Sequence, residues 1–153
     1  MPKKETIERA REDRRAGKAP STQAGEFVRE EIHHVREGKH GARSAKQAIA
    51  IGLSKARRAG VKLAQPAEGK TSASVRRKVT LDSEHGREHP KQKPSRKRSR
   101  AVESALEREG HGAVSKKSLS QQARWVARSR SKKSRSVAAK KAARARASHR
   151  NMR

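Results

Sequence analysis

The chain has 153 residues, with 42 Lys+Arg against 15 Asp+Glu, a formal net charge of +27 and no cysteine. Ile, Leu, Val and Phe together number 19, about 12%, below the roughly 20% under which a highly charged chain stays disordered. These figures exclude disulfides, thiolate metal sites, cysteine nucleophiles, a membrane span, and a packed core running through the whole chain.

A charge of this size makes polyanions the default partners. The N-terminus, MPKKETIERARED, carries no apolar run of the kind a secretory signal needs, so an intracellular, cytoplasmic protein is expected. In chain order, residues 1–38 hold nine cations and eight acids. The Glu/Arg-rich run to Arg15 predicts a solvated N-terminal helix within 1–20, ended near Gly17. Ile7 and some alanines are its candidates for burial. Pro20-Ser21-Thr22 then opens a second helix, roughly 22–37, stopped by Gly38. Ala24, Phe27, Val28, Glu31/Ile32 and Val35 follow helical spacing and give it one apolar face. Glu26, Arg29, Glu30 and Arg36 fall on or beside the opposite face. His33, His34 and His40 could bind a metal weakly, but they read first as surface histidines near a helix end, and no metal or cofactor is expected.

Ser44 to Gly60, SAKQAIAIGLSKARRAG, is the best-signalled helix. Ser44 suits the N-cap, Gln47 completes a capping-box spacing, and Gly60 suits a left-handed C-terminal stop with Val61 packing back on Ala56. Ala45, Ala48, Ile49, Gly52, Leu53 and Ala56 form an apolar stripe, and Lys46, Lys55, Arg57 and Arg58 stand off it. Packed against the preceding helix across a short loop, it makes a helical hairpin over 21–63. Residues 39–62 carry seven cations and no acid. In the loop GKHGARS, backbone N–H groups ahead of a helix N-terminus could cradle a phosphate, the alternative being a plain turn.

From Leu63 the pattern dissolves, and 64–94 reads as a flexible linker. A short helix follows from Pro94-Ser95 to about Glu109. Residues 111–153 hold fourteen cations and no acid. Ser118 and Gln121 repeat the capping-box spacing, so a helix is expected from Leu119 to about Arg130, with Trp125 packed beneath it. A second Ala-rich helix spans roughly 136–149. Like charges repel along such a helix, and a bound polyanion removes that repulsion. Residues 95–153 together form a basic tail with short helices.

Little of this composition supports catalysis. His85, Glu88 and His89 match an H-x-x-E-H zinc pattern, but Gly86 weakens the helix and Pro90 follows at once, so no zinc centre is expected. There is no G-x-S-x-G elbow, zinc-finger spacing, aromatic RNA-binding motif or basic-zipper array. One Trp and one Phe cannot support base stacking as a main mode. What remains is phosphate contact, which confers affinity with little sequence preference.

FVREEIHHVREGKHGARSAKQAIAIGLSKARRAG, within 22–63, resembles an uncharacterised family of small basic bacterial proteins, a domain of unknown function. SLSQQARWVARSRSKKSRSVAAKKAARAR resembles the basic C-terminal segments of such proteins. A weaker likeness, in composition alone, is to histone-H1-like nucleoid proteins. The resemblance implies a bacterial, DNA-associated protein and carries no activity with it.

The expected fold is all-α: a small helical hairpin, a flexible linker and a basic tail, helical or disordered. The expected function is non-enzymatic, largely sequence-indifferent DNA binding in the nucleoid. RNA or ribosome binding is one alternative. The other is a protein-interaction adaptor using the apolar face of 22–37. In the hairpin the candidate contacts are Lys46, Lys55, Arg57, Arg58 and Lys62. Arg96, Lys97 and Arg98 begin the tail, followed by Arg124 and Arg128. The last group is Lys132, Lys133, Arg135, Lys140, Lys141, Arg144 and Arg146, and the tail is expected to supply most of the affinity.

Overall fold

Each of the first three helices stops by the same pair of backbone hydrogen bonds. The computed structural model describes residues 2–69, 71–89 and 95–151. Among these residues the fold is all-α: α1 (Lys4–Arg15), α2 (Pro20–Arg36), α3 (Ala45–Arg58), α4 (Ala73–Glu88), α5 (Arg96–Glu107), a 3-10 turn (Gly112–Val114), α6 (Lys116–Arg128) and α7 (Lys132–Asn151). At the end of α3, Gly60 takes a φ of +86°, which costs a residue without Cβ little. Its N–H donates to the Arg57 carbonyl at 2.9 Å, and the Val61 N–H donates to the Ala56 carbonyl at 3.0 Å. This is a Schellman stop, and Val61 packs back onto the cluster containing Ala56. Lys18 N–H to Asp13 carbonyl (2.8 Å) and Lys39 N–H to His34 carbonyl (3.0 Å) close α1 and α2 in the same way. At the other end of α3, the Ser44 hydroxyl accepts the Gln47 N–H at 3.2 Å. The Gln47 side chain accepts from the Arg43 N–H at 2.7 Å, one residue earlier than a capping box requires.

The chain divides into two units, Met1–Ser115 and Lys116–Arg153. In the first, α1 packs on α2, α2 on α3, and α3 on α4. Two small clusters form its core. Phe27 sits with Ala10, Ala24 and Ala56, flanked by Ile7, Leu53, Val61 and Leu63. Val35 sits with Ala42, Ala48 and Val114, flanked by Ile32 and Ala113. Alanines dominate both clusters, so the helices must approach closely to bury so little apolar volume. Gly52 allows it: a Cβ there would lie 2.7 Å from the Val28 Cα.

The stretch read as a linker contains α4. Ser72 caps it by accepting the Val75 N–H at 3.4 Å. Its buried residues are Val79, Asp82 and Gly86, one of them apolar and large. A stripe of valine, carboxylate and glycine has no hydrophobic period, which is why apolar spacing does not reveal it. The helix also runs through Gly86, because that glycine lies against the Arg57 carbonyl where a Cβ would collide. Lys70 and 90–94, including the expected start of the next helix at Pro94, lie outside the described residues.

The tail expected over 95–153 is likewise divided. α5 and the 3-10 turn belong to the first unit. Gly41 N–H donates to the Leu106 carbonyl at 2.9 Å, and Ala42 N–H to the Gly110 carbonyl at 3.1 Å. Arg36 donates through Nε and Nη2 to the Val114 carbonyl at 3.2 and 3.1 Å. In the second unit, α6 starts at Lys116, three residues before the expected Leu119. α7 starts at Lys132, with the Ser131 hydroxyl accepting the Ser134 N–H at 3.2 Å. No helix among the described residues is long and apolar enough to cross a membrane.

Candidate nucleic-acid interface

The hairpin cations divide into two sets. Lys46 and Lys62 are exposed. Lys55, Arg57 and Arg58 turn inward, toward acids that the sequence places far away. Lys55 Nζ lies 2.5 Å from Glu31 Oε2 on α2, whose carboxylate is fully buried. Arg57 is 8% exposed beneath α4. Burial lowers its pKa from the ordinary value, with Asp82 pulling the other way. Arg58 Nε is 3.5 Å from Asp82 Oδ1, and the Ser54 hydroxyl donates to Asp82 Oδ2 at 2.6 Å. Two side chains that helical spacing sets off the apolar stripe, Lys55 and Arg58, are therefore charged joints between α3 and its neighbours, while Arg57 is buried with its Nε lacking a hydrogen-bond partner. Glu31 and Asp82 are the partners that sequence reasoning missed; neither stands out, because each is one of three acids in a mixed-charge helix.

The loop over 38–44 offers no free cradle in this arrangement. Its Gly41 and Ala42 N–H groups are taken by the Leu106 and Gly110 carbonyls, and that of Arg43 by Gln47. In place of either a phosphate nest or a plain turn, the loop forms a seam with the end of α5. Arg43 adds an ion pair with Glu109 at 3.3 Å.

Glu30 moves from the solvated face to the interior, at 5% exposure, and Glu31, at a position of the apolar face, is buried at 0%. Glu30 Oε1 accepts the Lys3 N–H at 2.9 Å and so pins the start of α1. His34 and His40 are not surface histidines, since each side chain is only 14% exposed. Burial holds His34 below the usual imidazole range, reinforced by the Lys55 charge and opposed by Glu30. Phe27 and Val35 lie inside the bundle, at 1% and 0% exposure. The apolar face an adaptor would offer is thus covered by the protein's own helices.

The remaining candidates present their charge to solvent. Arg96, Lys97 and Arg98 are exposed in the first turn of α5. Arg124 and Arg128 are exposed on α6, one turn apart. Trp125 between them is 60% exposed rather than packed beneath the helix. Lys132, Lys133, Arg135, Lys140, Lys141, Arg144 and Arg146 are all exposed on α7, over a 20-residue helix. From Lys116 to Arg153 there are fourteen cations and no acid. A helix of this kind has neither an apolar face to bury nor opposite charges to pair, so its own repulsion is relieved by external anions.

Neither a curated protein nor a solved structure matches the chain. Residues 3–66, which take in the whole of α1, α2 and α3 with their three glycine stops, match the model of an uncharacterised family, described as Family of unknown function (DUF6496).

Proposed function

We propose that the protein is a non-enzymatic, largely sequence-indifferent DNA-binding protein of the bacterial nucleoid, histone-like in acting through phosphate contacts. The observation that carries this reading is α7. Across its described side chains it is exposed throughout, and it holds seven of the candidate cations without one acid. Lys and Arg neutralising phosphates release condensed counterions, which supplies affinity without base readout. The single exposed Trp125 adds at most one stacking contact, so bases contribute little.

The inward turn of Lys55, Arg57 and Arg58 sharpens the division of labour. The first unit uses Lys55 and Arg58 in its own assembly, and the candidate contacts it leaves exposed are Lys46, Lys62, Arg96, Lys97 and Arg98. The second unit keeps nearly all its charge for a partner. RNA offers the same phosphates, so the decisive experiment is competition: labelled duplex DNA bound to the full chain, challenged with structured RNA at physiological salt. Retention of the duplex against an equal nucleotide concentration of RNA supports DNA as partner. Displacement by RNA transfers the reading to an RNA-binding or ribosome-associated protein.

A further inference from the structure

His40 stands in the loop after α2, and its Nδ1 lies 3.0 Å from the Gly41 carbonyl oxygen. A carbonyl can only accept, so Nδ1 carries the proton and donates it. The Nε2 of a neutral ring then presents a lone pair. That nitrogen faces Glu31 Oε1 at 3.4 Å. Glu31 is 0% exposed, and its Oε1 is buried without a hydrogen-bond partner. A charge-assisted hydrogen bond between the two would draw them to about 2.7–2.9 Å. Their separation instead matches one edge of a tetrahedral site. Two ligand atoms each about 2.0–2.1 Å from a zinc ion lie about 3.4 Å apart.

A third donor is present. A ring nitrogen of His34 joins the other two ligand atoms in a group in which all lie within 4.8 Å of one another. The His34 and His40 rings meet edge to face, with centroids 6.2 Å apart. Zinc ligands can be at most about 4 Å apart, so the His34 ring, whose Nε2 also lies 3.5 Å from Glu30 Oε1, has to move closer to serve as the third protein ligand. Lys55 holds the other oxygen of Glu31 at 2.5 Å, which orients the carboxylate and leaves Oε1 for the site. The Gly41 carbonyl plays the same part for His40, fixing the tautomer through the nitrogen that does not ligate.

We propose that Glu31, His34 and His40 form a binding site for one borderline divalent transition-metal ion, of which Zn2+ suits the two-imidazole, one-carboxylate donor set best, with a solvent water as fourth ligand. The ion ties the C-terminal turns of α2 to the loop that leads into α3. It therefore acts on the first unit, and it does not rest on the nucleic-acid reading. The H-x-x-E-H pattern at His85–His89 is a different matter. Among the described residues it contributes to no group of three ligand atoms, and His89 lies beyond the end of α4.

The test uses the full chain, stripped with a chelator and free of nucleic acid, titrated with Zn2+ alone by calorimetry. One ion per chain is expected. The same titration followed by histidine ring NMR should shift the His34 and His40 signals and leave His33, His85, His89 and His111 in place. Co2+ should give the intense visible absorption of a tetrahedral site. His40→Ala and His34→Ala should each weaken binding by at least about tenfold, whereas His85→Ala with His89→Ala should not change it. Absence of binding overturns the site. So does Zn2+ that moves the other histidines instead, or an affinity that survives loss of His34 and His40. The NMR readout is made on the unsubstituted chain, so it decides the matter even if a variant misfolds.

Discussion

Lys55 Nζ sits 2.5 Å from Glu31 Oε2, joining the last turn of α3 to the C-terminal part of α2 across 24 residues of sequence. The carboxylate is fully buried, and the ammonium is 24% exposed at the edge of the seam. A cation whose helical position marks it as a phosphate contact is thus the counterion of an interior acid. The two units differ in how charge is mixed: the first holds all 15 acids of the chain and can pair some of its cations internally, whereas the second has no acid at all.

Removing Lys55 should therefore act on folding. Lys55→Met leaves Glu31 buried with one partner fewer. Breaking a buried pair costs about 3–5 kcal/mol, and the partial exposure of Lys55 places this case at the lower end. Urea unfolding followed by helical circular dichroism should show the loss. Duplex affinity of the folded variant should change little; a large affinity loss with unchanged stability would return Lys55 to the interface.

Gly52 and Gly25 are both helical glycines, and the same substitution should move them in opposite directions. At Gly52 a Cβ meets the Val28 backbone, with Cα at 2.7 Å and N at 3.0 Å. Gly52→Ala should destabilise by about 1–3 kcal/mol through overpacking. At Gly25 nothing lies within 4 Å, so Gly25→Ala should stabilise by about 0.5–1 kcal/mol through helix propensity. Denaturation midpoints of the two variants, compared with the parent chain, check both signs.

Asp82 holds α4 to α3 through Ser54 and Arg58. Asp82→Ala removes both acceptors and should cost about 1.5–3 kcal/mol, the range for hydrogen bonds to a charged group. The effect should be local. Amide exchange of 73–88 should accelerate strongly while the amides of α2 keep their protection. Uniform protection in both segments would mean that α4 is held by something other than this carboxylate.

These residues also show what the sequence could disclose. Ser44, Gly60 and the Ala24–Phe27–Val35 face are legible because each acts locally: a cap, a left-handed stop, a helical period. The all-α class and the ends of α1 and α2 follow from the same local signals. α4 is hidden because its buried face is Val79, Asp82 and Gly86, which reads as polar noise until Arg58 and Ser54 are brought beside it. The inward turn of Lys55 is hidden for the same reason, since its partner lies in another helix. His34 and His40 look like surface groups until the Gly38 turn folds one back over the other. In a bundle built from alanine and glycine, long-range polar pairs carry what large apolar residues carry elsewhere, and spacing rules written for apolar residues pass over them.

Salt dependence of duplex binding decides whether α7 is the phosphate clamp. Binding isotherms should be recorded from 50 to 200 mM salt, a range over which a protein that neutralises about 6–10 phosphates weakens by about 10³–10⁵ in affinity. The full chain should be compared with a variant in which Lys132, Lys133, Arg135, Lys140, Lys141, Arg144 and Arg146 are all replaced by Gln. Each phosphate that is no longer neutralised lowers the slope of log affinity against log salt by about 0.9. The variant should bind far more weakly at 50 mM, with a slope shallower by several units and the helicity of the first unit retained. A variant that binds like the full chain with the same slope would contradict this and remove α7 as the clamp.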